Sequence, residues 1–140
     1  MATFEREFSV EPQAVWSVLE DAEAYAQWIA GAIEVVHSDN AWPTVGASFD
    51  FRYRWGPFRR SGRATVLEAH PPGHVRIRWS RGPFADSIAD IAIGSTTSGC
   101  VVRVVENPRG VRSSGMSSFF WVAGPSANAR SLDRLARLAQ

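Results

Sequence analysis

Between residues 32 and 106 apolar and polar side chains alternate with a period of two, and the runs are punctuated by Gly, Pro, Asn and Asp. That is the pattern of consecutive half-buried strands joined by tight turns. It predicts strands over 32–38, 47–55, 62–70, 74–80, 85–93 and 99–106, with breakers at Asp39-Asn40, Pro43 with Gly46, Gly56-Pro57, Pro71-Pro72-Gly73, Gly82-Pro83 and Ser98-Gly99. A shorter alternation over 3–9, with Phe4 and Phe8 set against Glu5 and Glu7, adds a first strand. Connections this short suit antiparallel neighbours, so the seven strands are expected to pair antiparallel.

Helical spacing is confined to the two ends of the chain. Glu11 and Pro12 open a helix whose apolar face is Val15, Trp16, Val18 and Leu19. Asp21 reads as the N-cap of a second short helix carrying Ala22, Tyr25, Ala26 and Trp28, with Gly31 as its stop. From Ser126 to Gln140, Ala129, Leu132, Leu135, Ala136 and Ala139 share one side, while Arg130, Arg134 and Arg137 share another. Asp133 is in reach of Arg130 or Arg137, and the arginines read as a solvated face. Met116–Ala123 reads as an earlier helical segment, kinked from the last one at Pro125.

One phrase occurs twice: Arg52-Tyr53-Arg54-Trp55-Gly56-Pro57-Phe58 and Arg76-Ile77-Arg78-Trp79-Ser80-Arg81-Gly82-Pro83-Phe84. With one strand running back between them, both phrases point the same way and bring their Gly-Pro-Phe turns to one end of the sheet. The connecting strand resembles neither copy, so the repetition is geometric rather than a duplication. Phe49, Phe51, Tyr53 and Trp55 fall on one strand face, opposite Asp50, Arg52 and Arg54. Val75, Ile77 and Trp79 oppose Arg76 and Arg78, and Val102 and Val104 oppose Arg103. The apolar sets are expected to face inward and the arginines outward.

At 140 residues the chain has the length of one domain, enough to bury roughly 70% of the surface of the unfolded chain. Eight Phe and six Trp are many for that size, and a few of them suffice to wall a cavity. All fifteen basic residues are arginine, which excludes a Schiff-base lysine and a P-loop lysine. The net charge of +1 gives no general pull toward nucleic acid or membrane. A single cysteine, Cys100, excludes an internal disulfide and reads as a small buried hydrophobe in a valine-rich strand. The N-terminus lacks a basic-then-apolar leader pattern and no apolar run reaches membrane-spanning length, so a cytoplasmic location is expected.

Several phrases carry a resemblance to a known family. They are Val10-Glu11-Pro12-Gln13-Ala14-Val15-Trp16-Ser17-Val18-Leu19-Glu20-Asp21, Tyr25-Ala26-Gln27-Trp28, Val45-Gly46-Ala47-Ser48-Phe49 and Glu68-Ala69-His70-Pro71-Pro72. Arg76-Ile77-Arg78-Trp79, Ser98-Gly99-Cys100-Val101-Val102 and Ser131-Leu132-Asp133-Arg134-Leu135 complete the set. With the order β-α-α-β6-α, they resemble the START-like, polyketide cyclase/dehydrase-type (SRPBCC) family, a relative of the Bet v 1 fold. The resemblance spans nearly the whole chain and implies one α+β helix-grip domain over residues 1–140. That fold is a seven-stranded curved antiparallel sheet wrapped around a long C-terminal helix, with two short helices after the first strand. It further implies a deep cavity between sheet and helix. The matching positions are packing and turn residues, so they carry architecture rather than chemistry.

For catalysis the chain offers no matched set. His37, His70 and His74 have no partner at metal-ligand spacing, so no metal and no cofactor are expected. His70 and His74 bracket a turn and read as exposed, leaving His37 as the histidine able to reach the interior. The serines at 113–118 lack a nucleophile-elbow pattern. Asp86 and Asp90 read as outward-facing, and Tyr53 is the best interior polar group.

The leading expectation is therefore binding, with transport as an extension, of a small hydrophobic molecule such as a lipid, polyketide or isoprenoid. Its lining is Phe49, Phe51, Tyr53, Trp55, Phe58, Ile77, Trp79, Phe84, Val102, Val104, Met116, Phe119 and Phe120, with the segment 115–121 as a flap. The alternative is a cyclase/dehydratase-like enzyme acting by conformational templating, which needs an inward Arg, Asp, Glu or His beside Tyr53. A third reading uses the outward arginines, with Arg59 and Arg60 on the turn, to meet an acidic protein or RNA. Aromatics do not interleave with them, which disfavours nucleic acid.

Overall fold

In the computed structural model, which describes residues 2–29, 34–55, 57–81, 86–109 and 125–140, the alternating segments pair into one sheet. The chain runs β1 (Ala2–Phe8), α1 (Pro12–Leu19), a 3-10 turn (Ala22–Ala24), α2 (Tyr25–Trp28) and β2 (Glu34–Ser38). It continues through β3 (Ser48–Trp55), β4 (Phe58–His70), β5 (His74–Ser80), β6 (Asp86–Thr96), β7 (Gly99–Arg109) and α3 (Pro125–Leu138). The strand order is β1-β7-β6-β5-β4-β3-β2, antiparallel throughout. The first and seventh strands are therefore neighbours, and β3 and β5 point the same way with β4 returning between them.

Local chemistry accounts for the element ends. Pro12 stands in the first turn of α1, where its missing N–H costs nothing. The Asp21 carboxylate accepts a hydrogen bond from the Glu23 amide at 3.1 Å, so it caps the 3-10 turn as its sequence position suggests. Three strands run beyond the apolar pattern: β4 starts at Phe58 instead of 62, β6 reaches Thr96 and β7 reaches Arg109. Ladder hydrogen bonds need only backbone, so pairing continues to the tips of the hairpins whatever the side chains. Trp55 pairs with Phe58 and Arg54 with Arg59, which puts Phe58, Arg59 and Arg60 in a strand instead of on a turn.

A register shift between Val66 and Glu68 breaks the alternation of β4. Val66 faces inward at 1% exposure. Leu67 is the extra residue of the bulge, and beyond it Ala69 packs against the core while His70 is exposed. One inserted residue thus turns Glu68 and His70 to the outer face.

The core forms on the inner face of the sheet. Phe49, Phe51, Ala64, Ile77 and Val102 have no exposed surface, and Val15, Trp16, Leu19, Tyr25 and Trp28 close over them from the two short helices. Gly62 lies opposite Phe51 on β3. A Cβ there would stand 2.6 Å from Phe51 Cζ and 2.6 Å from the Ser80 carbonyl oxygen, so glycine is what lets the ring lie across β4.

In α3 Ser131, Leu132, Leu135 and Ala136 are buried, as is Ala139 just past its end, while Arg130 and Arg137 are exposed and Arg134 half-buried. Ala129, expected on the apolar side, is exposed because it stands a turn nearer the helix start. Asp133 pairs with Arg6 of β1, Nε to Oδ1 at 2.9 Å, rather than with Arg130 or Arg137. The helix lies beside the first strand, which brings a better-placed cation than its own surface offers. Pro125 begins the described helix, a position proline tolerates. The helical segment expected over Met116–Ala123 lies outside the described residues, and with it the kink.

A candidate ligand-binding face

Among the described residues the rings of Tyr25, Trp28, Trp42, Phe49, Phe51, Tyr53 and Trp79 gather on and over the inner face. Phe49 stands at the centre, with ring centroids 4.8 Å from Trp42, 5.2 Å from Tyr25, 5.7 Å from Trp79 and 6.1 Å from Phe51. Phe51 in turn lies 5.5 Å from Trp79 and 6.0 Å from Tyr53. These are tilted and edge-on contacts, the arrangement that ring quadrupoles favour.

The residues singled out in the sequence divide into three groups. Phe49, Phe51, Tyr53, Ile77, Trp79, Val102 and Val104 are all buried on the inner face, brought together by the period-two alternation of β3, β5 and β7. Phe58 is 61% exposed at the start of β4, whereas Trp79 is 1% exposed. Phe84, Met116, Phe119, Phe120 and the Trp55 side chain lie outside the described residues.

Polar side chains stand on this same face, and of these sequence reading passed over Arg81 and Glu106. Arg81 is 5% exposed, Ser87 and Glu106 have no exposed surface, and Tyr53 is 5% exposed. Arg81 extends the inward series Val75, Ile77, Trp79, and Glu106 extends the series Cys100, Val102, Val104. The signal was available: continuing each alternation by one more step aims both charges inward. Arg81 lies one residue beyond the strand expected over 74–80, so that expected strand stops short of the inward position Arg81 takes. Its guanidinium is held below its ordinary pKa by burial, offset in part by Tyr53, Glu106 and Asp86. The register sets Ser87 beside Trp79, and Ala89 between Ile77 and Glu106. Ser87 Oγ makes no hydrogen bond among the described residues. One end of an otherwise aromatic and aliphatic face thus carries a cation, a carboxyl group and two hydroxyls.

Part of the outer face is self-neutralised. Arg63 bonds Asp50 at 2.7 Å, Arg78 bonds Asp86 at 2.8 Å, and Arg76 bonds Asp90 at 2.8 Å and Glu68 at 3.2 Å. Asp86 and Asp90 face outward as their alternation predicts. Two histidines depart from expectation, His37 and His74. His37 is exposed, because β2 is an edge strand with little buried surface. His74 is only 26% exposed and its Nε2 lies 2.8 Å from Asp90 Oδ1, while His70 is exposed. Strand register also brings Glu68, His70 and His74 together, with ligand atoms within 4.8 Å of one another, a set that linear spacing hid. Cys100 is buried, and burial pushes its thiol up, in keeping with a packing role.

Among the described residues three clefts are lined. One of about 410 Å³ separates α1 and α2 from α3, and one of about 290 Å³ lies between β1 and the end of the chain. A third, about 90 Å³, is formed by Glu34, Arg52, Tyr53, Arg54 and Arg59 and reaches Tyr53 from the hairpin side. No helix among the described residues is long and apolar enough to cross a membrane.

The profile of the family described as polyketide cyclase / dehydrase and lipid transport matches residues 1–140. No curated protein matches the chain in sequence. Solved structures do match in fold. Protein CV1439 from Chromobacterium violaceum superposes with a TM-score of 0.75 at 19% identity, covering 99% of this chain and 96% of its own. Protein MLL2253 from Mesorhizobium loti gives 0.72 at 17% identity, covering 98% and 94%. DynU16, a protein of the dynemicin biosynthetic locus, gives 0.66 at 19% identity, covering 96% of this chain and 45% of its own.

Proposed function

Because this chain belongs to the polyketide cyclase / dehydrase and lipid transport family, we propose that it binds a small, mostly hydrophobic molecule non-covalently between the inner face of the sheet and the C-terminal helix. In this reading residues 1–140 act as one helix-grip domain. Affinity comes from apolar area removed from water, at roughly 25 cal/mol per Å². Phe49, Phe51, Ile77, Trp79, Val102 and Val104 supply the wall.

The observation that carries the reading is the burial of Arg81 and Glu106 on that apolar face. Charged side chains kept inside are frequently less stabilising than apolar ones of the same volume. Their position therefore supports recognition: Arg81 donates to a carbonyl, carboxylate or phenolate oxygen of the ligand, and Glu106, Ser87 and Tyr53 orient its hydroxyl or enol groups. The ligand is then an apolar body with one oxygen-rich end, as in a lipid or a polyketide. Phe58 marks the mouth of the site in this reading.

Native mass spectrometry of the freshly purified chain tests this. A co-purified lipid-like mass is expected, displaced by an apolar fluorescent probe and weakened at least tenfold by Phe58→Ala or Arg81→Met. If no apolar probe binds, and Phe58→Ala and Phe84→Ala change nothing, the reading fails.

A second reading is favoured by a specific observation. Arg81 and Glu106 are the inward cation and carboxyl group beside Tyr53 that a cyclase/dehydratase requires to polarise a carbonyl and move a proton. A linear polyketone probe separates the two. Cyclisation that Glu106→Gln slows in kcat, with binding retained, makes the chain an enzyme. Tight binding without turnover leaves it a carrier.

A further inference from the structure

The outer face of the sheet, opposite the proposed ligand, carries a second cluster. We propose that Glu68, His70 and His74 on the β4–β5 hairpin form a divalent metal site, best suited to Zn²⁺.

The backbone builds this set. His70 and His74 are direct cross-strand partners, and Glu68 pairs with Arg76 two positions further along the hairpin, on the same face. Without the bulge at Leu67, Glu68 and His70 would point toward the core; with it, both stand on the outer face beside His74. The two imidazoles stack with centroids 5.8 Å apart and planes 19° from parallel. Glu68 Oε2 lies 3.9 Å from His70 Nε2, and the ligand atoms of all three lie within 4.8 Å of one another. Closing them onto one ion takes a movement of about 1 Å, given metal–ligand bonds of about 2.0–2.2 Å. Glu68 and His70, with side chains 46% and 71% exposed, have the room to make it.

The surroundings suit a cation. His74 Nε2 lies 2.8 Å from Asp90 Oδ1, which fixes the ring and supplies the kind of carboxylate partner common to metal-bound histidines. Arg76 bonds Glu68 through Oε1, leaving Oε2 toward His70, and also holds Asp90. Two carboxylates against one guanidinium leave the neighbourhood negative while both histidines are neutral. Two imidazoles and a carboxylate with an open fourth position match the donor set of tetrahedral zinc.

Calorimetric titration of the tag-free full chain with ZnCl2 tests the proposal, with histidine NMR signals followed in parallel. Expected are one equivalent bound, a rise in Tm with Zn²⁺, and shifts of His70 and His74 that spare His37. His70→Ala, His74→Ala and Glu68→Gln are each expected to weaken binding at least tenfold, with His70→Ala losing the Tm rise. His70 is exposed, so its variant remains readable if His74→Ala loosens the hairpin. Binding by the His70→Ala/His74→Ala double variant as tight as that of the parent overturns the site. So does a parent chain that binds no Zn²⁺, or one whose shifts centre on His37.

Discussion

The Leu19 carbonyl, at the C-terminal end of α1, accepts two hydrogen bonds of 3.0 Å, one from the Tyr25 hydroxyl and one from Trp42 Nε1. A helix-end carbonyl that has no partner within the helix is thereby satisfied, and three separate segments are tied at one point. Burial drives the Tyr25 hydroxyl far above the usual tyrosine range, since the phenolate cannot be solvated there. Below about pH 10 both folded and unfolded chains hold that proton. Above it the unfolded chain releases the proton and the folded chain does not, so stability falls as pH rises, by up to about 1.4 kcal/mol per pH unit. Tyr25→Phe is expected to cost about 0.5–1.5 kcal/mol at pH 7 and to flatten this alkaline limb in denaturant titrations. Within the ring cluster, Trp79→Ala is expected to cost about 3–5 kcal/mol, read from the same titrations. Single residues also show where linear reading stopped short. Arg81 and Glu106 continue visible alternations, but a charge at the end of a strand reads as a turn or an exposed end until the fold shows what covers it.

At the scale of elements, hydrophobic period sufficed to find every helix and strand that lies among the described residues, because period two and helical spacing are imposed by backbone geometry. It missed the lengths of β4, β6 and β7, whose ends are held by main-chain pairing, and it missed the bulge at Leu67, which is a matter of register. Gly62 shows how an element depends on its neighbour: the Phe51 ring occupies the space a side chain would need. Gly62→Ala is expected to destabilise by about 1–3 kcal/mol through overpacking, with a lowered Tm. For α3 the anchor is apolar. Leu135→Ala is expected to cost about 2–5 kcal/mol, while Asp133→Asn, which breaks a solvent-exposed pair with Arg6, costs about 1 kcal/mol or less.

In the whole molecule the first strand closes the sheet against the seventh, Ala2 pairing with Glu106 and Phe8 with Cys100, parts of the chain that are far apart in sequence. Long-range pairing of this kind folds slowly, in milliseconds to seconds, because loop closure precedes the contacts that stabilise it. Removing residues 1–8 is expected to uncover β7 and to take away the Arg6 contact of α3. Loss of a cooperative unfolding transition in circular dichroism, with aggregation, is the expected outcome; an unchanged Tm would show β1 to be dispensable. The arginine-rich outer face also reads differently once assembled. Arg63, Arg76 and Arg78 are committed to carboxylates on neighbouring strands, so retention on an RNA or heparin column is expected to vanish by physiological salt.

The amino-acid sequence by itself determined the element order, the inner and outer strand faces, the meander that aligns β3 with β5, and the family, since each follows from local period, turn residues and packing phrases. Tertiary structure decided what those faces bring together. It set Arg81, Ser87 and Glu106 beside Tyr53 on an aromatic wall, and it set His70 against His74 and Glu68 on the other side. Both clusters depend on which residues stand opposite one another across strands. That register is settled by the sheet as a whole, and spacing along the chain does not encode it.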